Sequence, residues 1–346
     1  MKDKLYGKTE RAMDKHNIKG LIIVLALVLG LGKAKAQQNI QFTQYIFNSL
    51  SVNPAYAGYK EEWFAQMALR SQWTGIDGAP KTGQVSIDGI LGQSKNTGVG
   101  LQITADKLGA QSATSFYANY AYRLRLDAED TQRLSFGIGA GFTQYGLDGN
   151  ELRAVNPGDP SIPAGKISSF IPDLRFGVYY YNPRWYAGVS VMDLLSGDQS
   201  NNIFRWDANT TSNLKRKRHM YLIGGAIFDL AEDMKLRPSV MIMEDFKGPT
   251  NIDLNAMLIF GERVWIGGGY RMGAKLGKSF ADGQNLRSSN AIMGIAQFYV
   301  TERLRIGYSY DHILSRLSSV QNGTHEVTIG LTFPQSGFRL ISPRFF

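Results

Sequence analysis

The chain has 346 residues, of which 43% are hydrophobic and 19% charged, with a formal net charge of +9. Its one long apolar run, Leu21–Gly32, is twelve residues, and a membrane-spanning helix needs about 20, which excludes a bundle of such helices. An aromatic content of 12% with 38 glycines excludes a charge-rich disordered tail. The absence of cysteine removes disulfides, thiol catalysis and cysteine-based zinc sites. The four histidines, His16, His219, His312 and His325, lack metal-site spacing, and no phosphate-cradling glycine loop or nucleophile elbow is present. No cofactor is expected.

Residues 1–36 read as a secretory signal peptide. Lys2, Lys4, Lys8, Arg11, Lys15 and Lys19 precede the apolar run, and Ala34 and Ala36 supply the small residues of a cleavage site. The mature chain then begins at Gln37. The alternative, a single membrane anchor, needs a longer apolar run. The segment holds eight Lys/Arg against three Asp/Glu, so its removal takes the net charge from +9 to about +4. A nucleic-acid partner therefore loses its electrostatic support. The one basic cluster, Lys215-Arg216-Lys217-Arg218, has no interleaved aromatics for base stacking.

Residues 37–61 are rich in Asn, Gln and Tyr and do not alternate strictly. They read either as a plug or partner-contacting segment, or as a lead-in whose Asn53-Pro54 turn and Gly58 orient the first strand. From Trp63 onward, apolar residues recur at every second position, the period of a strand. Fourteen strands are predicted: 63–71, 84–91, 98–106, 115–125, 134–143, 174–180, 185–191, 219–229, 235–244, 251–260, 264–270, 290–300, 304–310 and 327–333. Most match the roughly 9–11 residues of a tilted transmembrane strand.

Connection lengths support this reading. Asn182-Pro183, Ala231-Glu232-Asp233, Gly261-Glu262 and Thr301-Glu302 are short, whereas 147–171, 194–217, 273–289 and 313–322 are long, so that long and short alternate strictly in the second half. In bacterial barrels short turns face the periplasm and long loops the exterior. One strand face carries Leu, Ile, Val, Phe and Ala; the other carries Arg, Gln, Asn, Asp, Ser, Thr and Gly. A soluble sandwich would turn the apolar face inward, a lipid-embedded barrel outward. The predicted fold is an all-β transmembrane antiparallel β-barrel of about 14 strands over 62–334, followed by a tail, 335–346. Trp63, Trp185, Tyr122, Tyr145, Tyr270 and Tyr310 are expected in interfacial girdles.

The segment Gln38–Asn48 (QNIQFTQYIFN), followed by Val52-Asn53-Pro54-Ala55-Tyr56-Ala57-Gly58, resembles the opening of the PorP/SprF family. Further matches follow in order: Gln72-Trp73-Thr74-Gly75 with Gly78–Thr82, Gly98–Leu101, Pro172-Asp173, Trp265-Ile266-Gly267 with Tyr270-Arg271, Gly307–Asp311, Gly323–Val327, and the terminal Ser342-Pro343-Arg344-Phe345-Phe346. The resemblance covers essentially the whole mature chain. It implies an outer-membrane component of the type IX secretion and gliding-motility apparatus of Bacteroidetes-type bacteria. It further implies a non-enzymatic role, with secretion-machinery proteins or the C-terminal domain of a large secreted cargo as partners. A porin-like channel for small solutes is the alternative.

Candidate partner or assembly residues are Asn53, Pro54, Ala55, Tyr56 and Gly58 and the terminal Ser342, Pro343, Arg344, Phe345 and Phe346. Both ends, 37–61 and 335–346, are expected on the periplasmic side, since an even strand number returns the chain to its start. Candidate lumen residues are Arg70, Asp88, Asp106, Arg123, Arg125, Arg175, Arg271, Arg305 and Asp311. They either grip a partner tail or an ion, or pair among themselves, because confined charges avoid desolvation that way. Lys215–Arg218 is expected at the external rim, facing lipopolysaccharide phosphates or solvent. His312, near Ser309 and Ser315, and His325 lack the fixed partners of an esterase and are expected to make loop-end hydrogen bonds.

Overall fold

The computed structural model describes residues 41–92, 95–152, 162–163, 165–196, 217–246, 248–274 and 290–333. The expected signal peptide, 1–36, the tail with Ser342–Phe346, and Lys215 and Arg216 lie outside the described residues. Fourteen strands form one antiparallel sheet: Trp63–Ser71 (β1), Lys81–Leu91 (β2), Thr97–Leu108 (β3), Gln111–Arg125 (β4), Arg133–Asp148 (β5), Lys166–Tyr181 (β6), Trp185–Met192 (β7), β8 in two pieces, His219–Ala226 and Phe228–Ala231, then Met234–Glu244 (β9), Thr250–Phe260 (β10), Val264–Ala274 (β11), Ala291–Tyr299 (β12), Leu304–Ile313 (β13) and Thr324–Phe333 (β14). The break in β8 coincides with a bulge, where Met234 faces Ala231 but Lys235 faces Asp229. Each strand pairs with its sequence neighbour, and β1 pairs with β14 from Trp63↔Phe333 to Ser71↔His325, closing the barrel. Closure leaves no unpaired edge, as the absence of water in a bilayer core requires.

The direction of the faces settles sandwich against barrel. Leu69, Val85, Ile87, Leu101, Ile103, Ile138, Leu222, Leu254 and Ile292 are exposed on the outside, while Gln66, Gln84, Ser86, Gln102, Thr104, Asn119, Ser190 and Asn255 are buried inside. Exposed Tyr122, Phe136, Trp185, Phe228, Phe298 and Phe333 sit near the short-turn ends of their strands, where an aromatic girdle belongs. Tyr270 is exposed toward the other end. Tyr145 corrects its expectation: it has the inward parity of Thr143 and Leu147 and packs against Leu147 beside Ile167 and Ile171.

The strict alternation of connection length also needs correction. At one end every connection is short: 92–96, 126–132, 182–184, 232–233, 261–263 and 300–303. The opposite end carries 72–80, 149–165, 193–218, 275–290 and 314–323, but also two tight turns, 109–110 and 245–249. The first arises because β4, β5 and β6 extend to 15, 16 and 16 residues, so that residues expected in a loop pair instead, down to Leu108↔Gln111. The second is pinned by its own acids: Asp245 accepts the Gly248 N–H at 2.6 Å, and Glu244 accepts the Thr250 hydroxyl at 2.6 Å. At the short-turn end, the Thr131 hydroxyl and the Thr131 and Gln132 amides donate to Asp127, holding its carboxyl below the ordinary carboxylate range.

A segment of the chain occupies most of the lumen. Residues 42–50 and 52–59 are buried without exception, in three short 3-10 turns, Thr43–Phe47, Ser49–Ser51 and Pro54–Tyr56. Tyr45, Ile46, Phe47, Leu50, Tyr56 and Tyr59 form one core with wall residues Tyr179, Tyr181, Tyr186, Tyr221, Met241, Met257 and Trp265. Ring contacts knit the two together, Tyr59 on Tyr181 at 4.7 Å and Phe47 on Trp265 at 5.5 Å. Residues 41–61 therefore do not lie beside the barrel on the periplasmic side. They start at wall positions near the long-loop end and run through the lumen to β1.

Candidate functional site

The site is the contact between this internal segment and the barrel wall, and period-two geometry builds it. Every second wall residue points inward, so polar side chains from adjacent strands converge at matching heights. Toward the long-loop end, Arg70 of β1 and Glu326 of β14 are cross-strand partners, as are Asp253 of β10 and Arg271 of β11. Arg70 bridges Glu326 and Asp311, each at 2.9 Å, while Arg271 holds Asp253 at 2.8 Å and reaches Asp311 at 3.4 Å. These five charges are nearly inaccessible to solvent, and burial of this kind is tolerable only because each is paired.

The plug docks on this cluster. The Thr43 and Gln44 N–H groups donate to the two oxygens of Glu326, at 2.8 and 2.9 Å. These open the first 3-10 turn, where amides lack internal partners and favour an anion. The Thr43 hydroxyl donates to Asp311 at 2.6 Å and accepts from Arg70 at 2.8 Å. Gln44 accepts from the Thr328 hydroxyl at 2.8 Å, and Gln41 donates to Asp253 at 3.0 Å.

A second anchor lies at the short-turn end. Glu61 pairs with Lys95 at 2.9 Å and Arg123 at 3.1 Å, and Arg123 also donates to the Tyr181 hydroxyl at 2.6 Å. Between the anchors the plug touches the wall with its backbone. Asn53 caps its own turn by accepting the Ala55 N–H at 2.9 Å and donates to the Val178 carbonyl at 3.0 Å. Ser190 donates to the Val52 carbonyl. Asp88 accepts the Gly58 N–H at 3.0 Å. Such approach requires wall glycines. A Cβ on Gly137 would lie 2.1 Å from the Ala55 nitrogen, and one on Gly98 1.9 Å from the Ala57 oxygen.

The structure therefore brings Arg70, Arg271 and Asp311 into one cluster, and sets Arg123 at the other anchor and Asp88 between them. Arg305 donates to the Phe47 carbonyl at 3.3 Å and to Gln66 at 2.8 Å. Asp106 accepts the Thr82 hydroxyl at 2.5 Å near the long-loop end. Arg175 lies over the Tyr117 ring, 3.2 Å from its centroid, and makes no ion pair among the described residues. Arg125 is not a lumen residue; it has inward parity but stands at the end of β4, exposed. Asn53, Pro54, Ala55, Tyr56 and Gly58 are plug residues against the wall. Lys217 is buried, so the basic run does not face solvent throughout, although Arg218 is exposed. Ser309 points into the lumen while His312 is exposed on the outer face, which separates them; His325 Nδ1 lies 2.7 Å from the Tyr308 hydroxyl.

Three acids of the site escaped sequence reasoning. Glu326 and Asp253 share the inward parity of Thr328 and of Asn251 and Asn255, so periodicity carried the signal. Glu61 precedes the first strand and has no periodic signal. Arg237, which donates to the Ile46 carbonyl at 3.3 Å, follows the inward parity of Ser239 and Met241.

The arrangement is a closed barrel with residues 41–61 fastened inside its lumen at two heights. Among solved structures, the CymD monoaromatic hydrocarbon channel matches with TM-score 0.50 and 11% identity, over 87% of this chain and 95% of that one. The Ralstonia pickettii toluene transporter TbuX matches at 0.48 and 10%, over 82% and 92%, and a Pseudomonas aeruginosa FadL homologue at 0.45 and 10%, over 81% and 91%. At such identities only the barrel fold is shared. No curated protein matches this chain. The family model described as type IX secretion system membrane protein PorP/SprF matches residues 34–331. The chain belongs to that family, and is an outer-membrane component of type IX secretion.

Proposed function

We propose that this PorP/SprF-family barrel serves secretion by protein–protein contact, in cargo secretion or surface anchoring, and not by conducting solutes or by catalysis. The observation that carries the reading is the plug: Thr43 and Gln44 locked on Glu326 at one height, Glu61 on Arg123 and Lys95 at another. A solute channel needs a wet path, whereas this lumen is packed with aromatic and aliphatic side chains. This reading puts the partners at the two rims of the barrel, where the connections join the strands. Secretion-machinery proteins and the C-terminal domain of a large cargo are the partners this reading names; outer-membrane lipid and lipopolysaccharide surround the barrel.

Affinity purification from native membranes, with identification of the co-purifying proteins, tests the contact. Secretion components or a cargo C-terminal domain are expected. The purified barrel in planar bilayers is expected to be electrically silent. Steady open-channel conductance with no co-purifying protein would establish the porin alternative instead.

A further inference from the structure

We propose that the lumenal cavity beside the plug, in the half of the barrel nearer the long connections, binds the terminal residue of a peptide through its free α-carboxylate, with Arg175 as the gripping group. This stands on the cavity alone and does not depend on which machinery protein the loops contact.

The cavity itself holds about 50 Å³, and about 510 Å³ only when the open solvent at its mouth is counted. One wall is polar: Gln84 of β2, Gln102 and Thr104 of β3, Ser115 of β4 and Arg175 of β6. The facing wall is mixed: Phe42, Tyr45 and Val52 of the plug with Tyr221 and Met241 of the barrel are its apolar part, and Gln41 and Ser51 of the plug its polar part. The plug lies between the cavity and the short-turn end.

Three lumenal arginines face no carboxylate among the described residues; Arg237 and Arg305 donate instead to plug carbonyls, and Arg175 does not. Arg70, Arg123 and Arg271 each face a carboxylate within 3.1 Å. Arg175 stacks on Tyr117 and has no acid or hydrogen-bond acceptor among the described residues, and its Nε is buried without a partner. A guanidinium stacked on a ring keeps its edge available, and that edge is a fork matched to a planar anion. No second cation and no carboxylate lines the cavity, which suits a singly charged carboxylate better than a phosphate dianion.

The neighbours narrow the class further. Gln102 is buried, donates to Gln84 at 2.9 Å, and leaves its own Oε1 without a partner. A buried acceptor of this kind calls for a donor from the ligand. A peptide's last residue offers a carboxylate for Arg175, a backbone N–H next to it for Gln102, and, when apolar, a side chain for the Phe42–Tyr45–Met241 wall. A simple monocarboxylate offers the first and third only.

The test uses the purified full-length barrel in detergent and calorimetric titration with three probes: N-acetyl-Gly-Gly-Phe with a free carboxylate, the same peptide as its C-terminal amide, and 4-phenylbutyrate. The free acid is expected to bind saturably, and the amide and the Arg175→Gln barrel to lose about tenfold or more, the scale of one charge-assisted hydrogen-bond pair. Arg175→Lys should fall between. Equal binding of acid and amide, or no saturable binding of any probe, would overturn the site. Phenylbutyrate binding as tightly as the peptide would overturn the peptide assignment. Should Arg175→Gln not assemble, as read by heat-modifiable mobility, Gln84→Leu makes the same comparison from the opposite edge of the cavity.

Discussion

Replacing Glu326 with Gln should loosen the plug without emptying the barrel wall. The native carboxylate accepts three bonds, from the Thr43 N–H at 2.8 Å, the Gln44 N–H at 2.9 Å and Arg70 at 2.9 Å. Glutamine keeps the volume and one acceptor oxygen, but its NH2 must face either a plug amide or the Arg70 guanidinium, donor against donor. Hydrogen bonds to a charged group are worth about 1.5–3 kcal/mol each, and removing one partner of a buried pair costs about 3–5 kcal/mol. Arg70 retains Asp311, so the lower end, about 3 kcal/mol, is the better figure. That is roughly a hundredfold shift toward the undocked plug. Hydrogen exchange followed by mass spectrometry should show the amides of Thr43–Leu50 exchanging about two orders of magnitude faster, and planar bilayers should show intermittent openings absent from the native barrel. Heat-modifiable mobility monitors the β1–β14 seam, since Glu326 and Arg70 also face each other across it. Unchanged exchange in 43–50 together with unchanged conductance would refute the claim that this carboxylate fastens the plug.

Further outcomes follow from the same geometry. Gly137→Val, which drives a Cβ to 2.1 Å from the Ala55 nitrogen, should displace the middle of the plug and raise conductance while the barrel still assembles, because valine suits a strand; a silent bilayer would count against the tight wall–plug seam. Ile103→Arg, on the exposed outer face mid-way along β3, should destabilise the barrel by about 2–4 kcal/mol, seen as lower outer-membrane levels; normal levels and melting would argue that this face does not meet lipid. A tag inserted within 198–212, between β7 and β8, should label intact cells, whereas one at Gly261-Glu262 should not; the reverse pattern would invert the topology. N-terminal sequencing of the membrane-purified protein should begin at Gln37, and a chain starting at Met1 would remove the signal-peptide reading.

The sequence by itself determined the barrel, because a strand's two faces are written in alternate residues. Val85, Ile87 and Leu101 are exposed and Gln84, Ser86 and Gln102 buried as the period requires, and the fourteen strands fall where apolar alternation places them. The same period brought Arg70, Asp311 and Arg271 to the lumen. It misplaced Arg125 because parity states a direction and not a height, and a residue past the rim is solvated; Tyr145 follows its inward parity onto Leu147, against its expected place in an outer girdle. Strand ends in β4–β6 and the two tight outer turns were decided by pairing partners far along the chain, which no local pattern reports. The plug belongs wholly to tertiary structure. Its segment lacks periodicity, and its place is set by Glu326, some 280 positions away along the chain, by Arg123, and by glycines whose missing Cβ matters only where another backbone arrives.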